Sequence, residues 1–461
     1  MMQTETSVTA DARVSVPRAL KNGSALVALS SVIWGLGCFV RKQFVKGALL
    51  LAAEVGIILY MISSGFYNLT KLITLGDVEQ QKVWNEAKSI FEYVDGDRSL
   101  VILLYGIVTV AVLLCGVLLL RLSVKSAYQA EQLAKTGKPV PGFRDDMTRL
   151  FDRDLHKPLL TLPILGVLVF TVLPLVFMTS MAFTNYSVLD NKLVLFDWVG
   201  LKNFRRMVDL QGSLGQTFWS VLGWTVAWAV IATFSNYILG MLLSLFINWK
   251  EIRGKKFWRF CFVLTVAVPH FVTLLIIRQM LQPNGAVNVL LQNLGWIQSP
   301  LPFFTDTTWA RVTVILINIW VSVPYVLLQI TGILQNIPAE LYESARVDGA
   351  SPVVTFFKIT LPYMLFVTTP YLITSFTGNI NNFNVIFLTS KGMPRAVEST
   401  AGTTDLLITW LYKLTIDNKD YNLGAVIGIL TFILMAFVTL SVVSLLTFHY
   451  SGSNRNEEGF R

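Results

Sequence analysis

Charge is what this chain most lacks. Only 14% of its 461 residues are Asp, Glu, Lys or Arg, where an ordinary soluble domain carries roughly 25%. With 54% hydrophobic residues and a mean hydropathy of +0.59, the deficit leaves a polytopic membrane protein as the class. Cysteine is scarce too. Cys38, Cys115 and Cys261 lie in apolar stretches without metal-ligand spacing and read as small buried hydrophobes, not redox groups. No G-x-x-x-x-G-K-[ST] phosphate loop occurs: the lysines after Gly137 and Gly254 lack the upstream glycine and the following Ser or Thr. The chain therefore has no usual means of hydrolysing ATP, and it reads as a non-enzyme without a cofactor of its own. H-E-x-x-H and G-x-S-x-G are absent, which argues against a membrane protease or lipase. The polar N-terminus shows no signal peptide with a cleavage site.

What is present is hydrocarbon in lengths that fit a bilayer. A spanning helix needs roughly 20 apolar residues. Eight runs qualify, at about 44–65, 99–121, 158–183, 217–247, 257–282, 309–335, 364–389 and 423–449. A ninth, at 25–40, is short and glycine-broken (IWGLGCFV) and reads as a membrane-surface or re-entrant element. The net charge of +9 does not imply nucleic acid, because the basic residues cluster in short loops between spans. Segments 1–42, 121–157, 248–259, the 340–364 connection and the tail hold 22 Lys and Arg, against 12 in the alternate loops. That bias predicts both termini in the cytoplasm of a plasma-membrane protein.

The expected fold class is thus all-α and polytopic. A cytoplasmic N-terminal segment with a short interfacial helix (1–42) precedes two accessory spans with a small extracellular cap (43–121). A cytoplasmic amphipathic linker (122–157), a six-span region (158–449) and a cytoplasmic tail (450–461) follow. In the linker, Phe143, Met147, Leu150, Phe151 and Leu155 recur at helical spacing, as on a helix lying at the lipid surface. The cap, residues 65–98, carries six acids and is expected to be helical.

One connection stands out. Residues 340–364 read ELYESARVDGASPVVTFFKITLPYM. Pro338 suits a first helical turn, Ala339–Ala345 can continue it, and Glu340 and Glu343 favour its dipole. Asp348-Gly349 is a turn signal, and Ser351-Pro352 restarts a helix with a serine cap. The segment reads as a cytoplasmic helix–turn–helix that either docks a soluble partner or simply connects two spans.

The order of its residues resembles the EAA loop of ABC importer permeases. Glu343-Ser344-Ala345 is followed by Gly349 and then by Ile359, Leu361 and Pro362 at the family's spacing, with Ser344 where the family has alanine. The stretches FTNYSVLDNKLVLFDWVGLKNF, FWRFCFVLTVAVPHF, DTTWARVTVILINIWVSVPYV and TAGTTDLLITWLYKL are similar to those of carbohydrate-uptake permeases. They are most similar to the larger, eight-span subunit of the maltose/maltodextrin type, and the similarity covers about 158–449. The enterobacterial type has a large folded insert after the third span, and here loop 184–216 is short. The resemblance implies a six-helix type I importer core with EAA loop 338–362. It also implies a second permease subunit, two ATPase subunits that hold ATP and Mg²⁺, and an extracellular solute-binding protein. Glu343, Ser344, Ala345, Asp348 and Gly349 would lie at the ATPase contact.

The substrate region is expected in the seventh span, where 376–384 read FTGNINNFN. Four asparagines in hydrocarbon need partners or a cavity. They can serve as interhelical glue. They can equally bind hydroxyls, with Phe376 and Phe383 covering sugar C–H faces. Asn379 and Asn382, three apart, would share a helix face. The resemblance implies that Asn379, Asn382 and Tyr325 contact an oligosaccharide, with Ser322 where the family can have glycine and Gly378 replacing a stacking aromatic. His270, after Pro269, reads as helix packing at a kink, and Arg278 and Arg311 as snorkelling cations. The alternatives are an importer of the same type for another solute, such as raffinose-like sugars or a glycerol-phosphate, and an ion-driven secondary transporter. The latter needs buried carboxylates, and only Glu54, in the first span, answers.

Overall fold

The computed structural model describes residues 15–458 apart from 87, 89, 95, 138, 250 and 396–398. Expectations for residues 1–14 and for the final three residues lie outside this range. Among the described residues, the helices long and apolar enough to cross a membrane are α1 (Phe44–Thr74), α2 (Ser99–Lys135), α3 (His156–Met181), α4 (Ser213–Asn248), α7 (Thr307–Leu334), α9 (Pro352–Leu388) and α10, over Tyr421–Ser444. An eighth crossing is a bent pair, α5 (Lys255–Ala267) and α6 (His270–Met280), meeting at 87°. The eight runs read from the sequence therefore coincide with seven spans and one sharply bent pair, and α9 is itself interrupted at Asn381-Asn382. Between α7 and α9 lies the short helix α8 (Ala339–Val347).

The break in the fifth run was not expected to be so sharp. Pro269 has no N–H to continue α5, and its ψ of 124° turns the chain outward, so His270 begins a new helix. Other helices run past the bilayer. α2 continues to Lys135, well into the expected linker, and the backbone of α10 continues to Glu458.

Residues 1–199 and 200–461 form two compact units. In the first, the glycine-broken segment at 25–40 folds into two five-residue helices, Ala25–Leu29 and Leu36–Val40, each too short to span. It is held to α2 by hydrogen bonds. Gly35 N donates to Ser123 Oγ (2.9 Å), which donates to Ser30 O (2.9 Å). Buried Glu131 of α2 accepts from Ser24 N and Oγ and pairs with Arg41 at 3.2 Å and Lys135 at 2.5 Å. Cys38 is buried here, whereas Cys115 is exposed on α2, against the expectation of burial.

The cap is a second correction. Among its described residues, Phe66–Thr74, the last turns of α1, is helical, and β1 (Gln81–Asn85) pairs antiparallel with β2 (Ile90–Val94). Val83, Trp84, Ile90 and Phe91 favour pleated backbone over helix, and Trp84 faces Phe91 across the ladder with ring centroids 4.8 Å apart. Asp97 closes its base, accepting from Lys71 Nζ (2.8 Å), Asp77 N (2.9 Å) and Val78 N (3.2 Å). These donors, Lys71 first, hold the Asp97 carboxyl below its ordinary range.

In the second unit α4 and α7 pack closely. Trp228 and Ala232 of α4 meet Val314, Ile317 and Val321 of α7, with Leu274, Val385 and Ile386 completing one cluster. Tyr237, Met241, Val326, Ile330 and Met364 form another. Polar ties link the same helices, among them Tyr237 Oη to Thr368 Oγ1 and Ser244 Oγ to Thr331 Oγ1, both at 2.8 Å. The loop after α9 is pinned by buried Asp405, which pairs with Lys413 at 2.6 Å and accepts from Gly402 N at 2.7 Å. Arg311 does not snorkel. Its Nε donates to Thr403 O (3.0 Å), and its guanidinium lies 4.5 Å from the centre of a Trp224 ring.

Gly240 sets how near α4 and α7 come, since a Cβ there would sit 2.6 Å from Val326 Cγ1. Gly240→Val is expected to destabilise the protein by about 1–3 kcal/mol through overpacking. The readout is a lower thermal midpoint of the purified protein in detergent, with Gly223→Ala, which meets open space, as the unaffected control.

Candidate functional site

Two places carry candidate residues. The first is polar and lies among α4, α7 and α9. α9 does not continue through its asparagines: helical residues end at Ile380, and Asn382 caps a new short helix, Phe383–Leu388, accepting from Val385 N (3.3 Å). Asn379 and Asn382 are thus on either side of a break and not on one helix face. They still meet, Asn382 Nδ2 donating to Asn379 Oδ1 at 3.4 Å.

Asn379 is buried and tied on both sides. Its Nδ2 donates to Thr233 Oγ1 (3.0 Å), and its carbonyl accepts from Trp228 Nε1 (3.1 Å). This is the arrangement of an interhelical tie. Asn382 is half-buried and also donates to Asn318 Oδ1 (3.3 Å), which accepts from Ser322 Oγ (3.4 Å). Asn318 is 1% exposed, yet its Nδ2 has no protein partner. A buried amide donor without an acceptor is unfavourable by about 1–3 kcal/mol, so the position is suited to a ligand oxygen.

Asn318 was not singled out in the sequence. The available signal was a lone asparagine in the apolar run VILINIWVSVPYV, four residues before Ser322 and so on its helix face.

Beside this cluster, at the α5–α6 bend, is a cavity of about 200 Å³ lined by Thr265, Val268, His270, Thr273, Trp320, Val321, Pro324 and Tyr325. Tyr325 lines it, as does His270, which the sequence assigned to packing alone. Hydroxyls, an imidazole and an indole face the space, and no Asp, Glu, Lys or Arg is among the lining residues. Such walls suit a neutral polyol better than an anion.

The other predicted residues are placed apart from the cavity wall. Gly378 is exposed, with open space where a Cβ would point. Phe383 stacks on Phe387 (centroids 4.7 Å) and meets Tyr412 edge-on (5.2 Å), so its ring belongs to an aromatic cluster.

The second place is α8. Its inner side holds Tyr342, whose Oη is 3.1 Å from Thr360 Oγ1, and buried Ala345. Its outer side exposes Glu340, Leu341, Glu343, Ser344 and Val347, the last 88% exposed. Asp348 follows at the C-cap and Gly349 turns the chain with φ +76°. Ser351 then caps α9, accepting from Val354 N (3.3 Å). Of the five coupling candidates, Glu343, Ser344, Asp348 and Gly349 face outward and Ala345 faces the protein's own core.

Membrane-spanning helices with a bent pair at an uncharged cavity, and an exposed helix–turn–helix between two spans, are the architecture of a transport permease. Residues 236–451 match the family described as "Binding-protein-dependent transport system inner membrane component". Relatives extend over nearly the whole chain. The galactooligosaccharides transport system permease protein GanP of Bacillus subtilis is 34% identical, over 89% of this chain and 95% of its own. The maltodextrin transport system permease protein MdxF of the same organism is 36% identical, over 93% and 96%. The maltose/maltodextrin transport system permease protein MalF of Escherichia coli is also 36% identical, over 53% and 48%. In fold, the chain is similar to a crystal structure of a bacterial ABC transporter importing the acidic polysaccharide alginate. The TM-score is 0.52 at 22% identity, covering 65% of this chain and 96% of that one. The chain belongs to the binding-protein-dependent ABC importer permeases and is a multi-pass membrane permease subunit.

The Asn379–Thr233 tie yields a direct test. Thr233→Val leaves Asn379 Nδ2 buried without its acceptor and is expected to be destabilising by about 1–3 kcal/mol, lowering the thermal midpoint in detergent. Thr233→Ser should restore most of the loss.

Proposed function

We propose that this permease subunit takes up neutral oligosaccharides of the maltodextrin type by alternating access, driven by a separate ATPase that docks on α8. The observation that carries the reading is α8 itself: a short helix anchored inward by Tyr342 and Ala345, offering Glu343, Ser344, Val347, Asp348 and Gly349 to a partner. Its sequence is the EAA-like cassette. ATP and Mg²⁺ would be held by the partner, two copies of which would serve this chain and a second permease subunit. An extracellular solute-binding protein would deliver the sugar. Both termini and α8 would be cytoplasmic, following the Lys and Arg bias.

The sugar reading rests on the uncharged cavity and on the unpaired Asn318 amide beside Asn382 and Ser322. A cavity of about 200 Å³ is below the roughly 300–1,000 Å³ of ordinary ligand pockets, so the second permease subunit would supply the remaining wall. An ion-driven mechanism finds little support. Glu54, the one carboxylate read within a span, accepts from Trp34 N at 2.7 Å and serves to hold the 25–40 segment.

Two measurements test this. Tyr325→Ala and Asn318→Ala, in proteoliposomes holding the whole complex, are expected to lower maltodextrin uptake at least tenfold while assembly stays intact. Unchanged maltodextrin uptake, with galactooligosaccharide as competitor, would refute the site. For coupling, Gly349→Asp puts a side chain in left-handed backbone, a cost of about 1–2 kcal/mol, and adds charge to the docking face. The protein should insert and assemble normally, yet lose binding-protein-stimulated ATPase and uptake together. Retention of both would sink the coupling role of α8.

A further inference from the structure

No residue of the β1–β2 hairpin lines the cavity, and none belongs to α8. α1 runs 31 residues from Phe44 to Thr74, about 46 Å at 1.5 Å per residue. The hydrocarbon core is only about 30 Å thick. Lys42 and Lys46 mark the inner end of α1, so its last turns, from Phe66 to Thr74, rise clear of the lipid tails and lift the hairpin with them.

The hairpin is also held stiffly. A lone two-stranded hairpin is marginal in water, and this one is fastened at its base. Asp97 ties Lys71 of α1 to the amides of Asp77 and Val78, and Asp97 N donates back to Val78 O at 2.8 Å. Trp198, from the next loop on the same side, donates its Nε1 to Leu72 O at 3.0 Å. Leu75, Leu103 and Phe196 are buried beneath.

On this fixed base the strands expose large apolar groups. Trp84 is 48% and Phe91 55% exposed, with Lys82 Nζ over the Phe91 ring, and Val83 and Ile90 are open on the opposite face. In sequence, the segment from Asp77 to Asp97 holds six carboxylates and two lysines. The length of α1 carries this charged segment beyond the hydrocarbon core. Exposed aromatics on a rigid, acidic arm match the anatomy of a protein interface.

We propose that the β1–β2 hairpin is a docking arm for the sugar-carrying solute-binding protein, which meets it with an apolar patch rimmed by basic side chains. The proposal rests on the importer reading above and on its placement of this loop outside the cell. The arm steers the binding protein by charge and fixes it through Trp84 and Phe91.

The test uses the complete complex in lipid nanodiscs and the maltotriose-loaded binding protein that stimulates its ATPase. W84S/F91S, which leaves the Asp97 clamp intact, is expected to weaken docking at least tenfold. Basal ATPase and stimulation at saturating binding protein should be unchanged. E79K/E86K should weaken docking at low salt and less at high salt. An unaltered docking constant in W84S/F91S overturns the proposal, as does quenching of Trp84 by spin-labelled lipid, which would make the hairpin a membrane anchor. A wild-type complex that responds to no binding protein would overturn the importer reading itself, an outcome separate from both.

Discussion

The structure depends on a single constraint: in hydrocarbon, a polar group must find its partner within the protein. Apolar surface gives helices no reason to associate there, since lipid tails receive it equally well. The second unit is accordingly organised along α4 by polar ties at successive depths. Thr225 accepts from Leu407 N, Trp228 donates to the Asn379 carbonyl, Thr233 holds the Asn379 amide, Tyr237 meets Thr368 and Ser244 meets Thr331. Each such bond contributes on the order of 1 kcal/mol. Together they fix which residues of α7 and α9 face one another, and so where the uncommitted amide of Asn318 falls.

The same constraint separates structural from functional polarity. Asn379 and Asn318 are both asparagines deep in apolar helices, and both are buried. The Asn379 side chain donates to Thr233 and accepts from Asn382, and its backbone carbonyl accepts from Trp228. Asn318 accepts from Ser322 and Asn382 and donates to nothing. Composition cannot distinguish these two residues, whereas a census of their hydrogen bonds can.

This difference also explains what was legible in the sequence. The spans were legible because twenty apolar residues in a row have few other uses, and the α8 turn because Asp348-Gly349 and Ser351-Pro352 are local signals. The hairpin was not, because strands of five residues beside a helix end give a weak periodic signal, and acids scattered among aromatics resemble a polar helix. The bend at Pro269 was visible as a proline, but its 87° angle was not, nor the long-range packing of Leu274, just beyond it, with Trp228 and Val314. Arg311 misled because a cation near a span end ordinarily snorkels. Its partners, Thr403 O and the Trp224 ring, are roughly ninety residues away on either side. Long-range pairing of this kind leaves no trace in a local window.

Alternating access asks for parts that move beside parts that do not, and the second unit has both. α4 and α7 are joined by interlocking side chains about Gly240 and Val326 and by the ties above. The α5–α6 bend has a smaller set of contacts: Pro269 removes one backbone donor, and His270 begins α6 without a side-chain cap. The cavity lies between these two, walled by Trp320 and Tyr325 from α7 and by Thr265, His270 and Thr273 from the bent pair. A hinge is expected where few residues absorb a change in backbone angle, and Val268–Pro269 answers that description. Straightening there would change the width of the cavity and shift Leu274 within its cluster with Trp228 and Val314. A ligand held between α7 and the bent pair would therefore be released by the motion of one wall, with the other left in place.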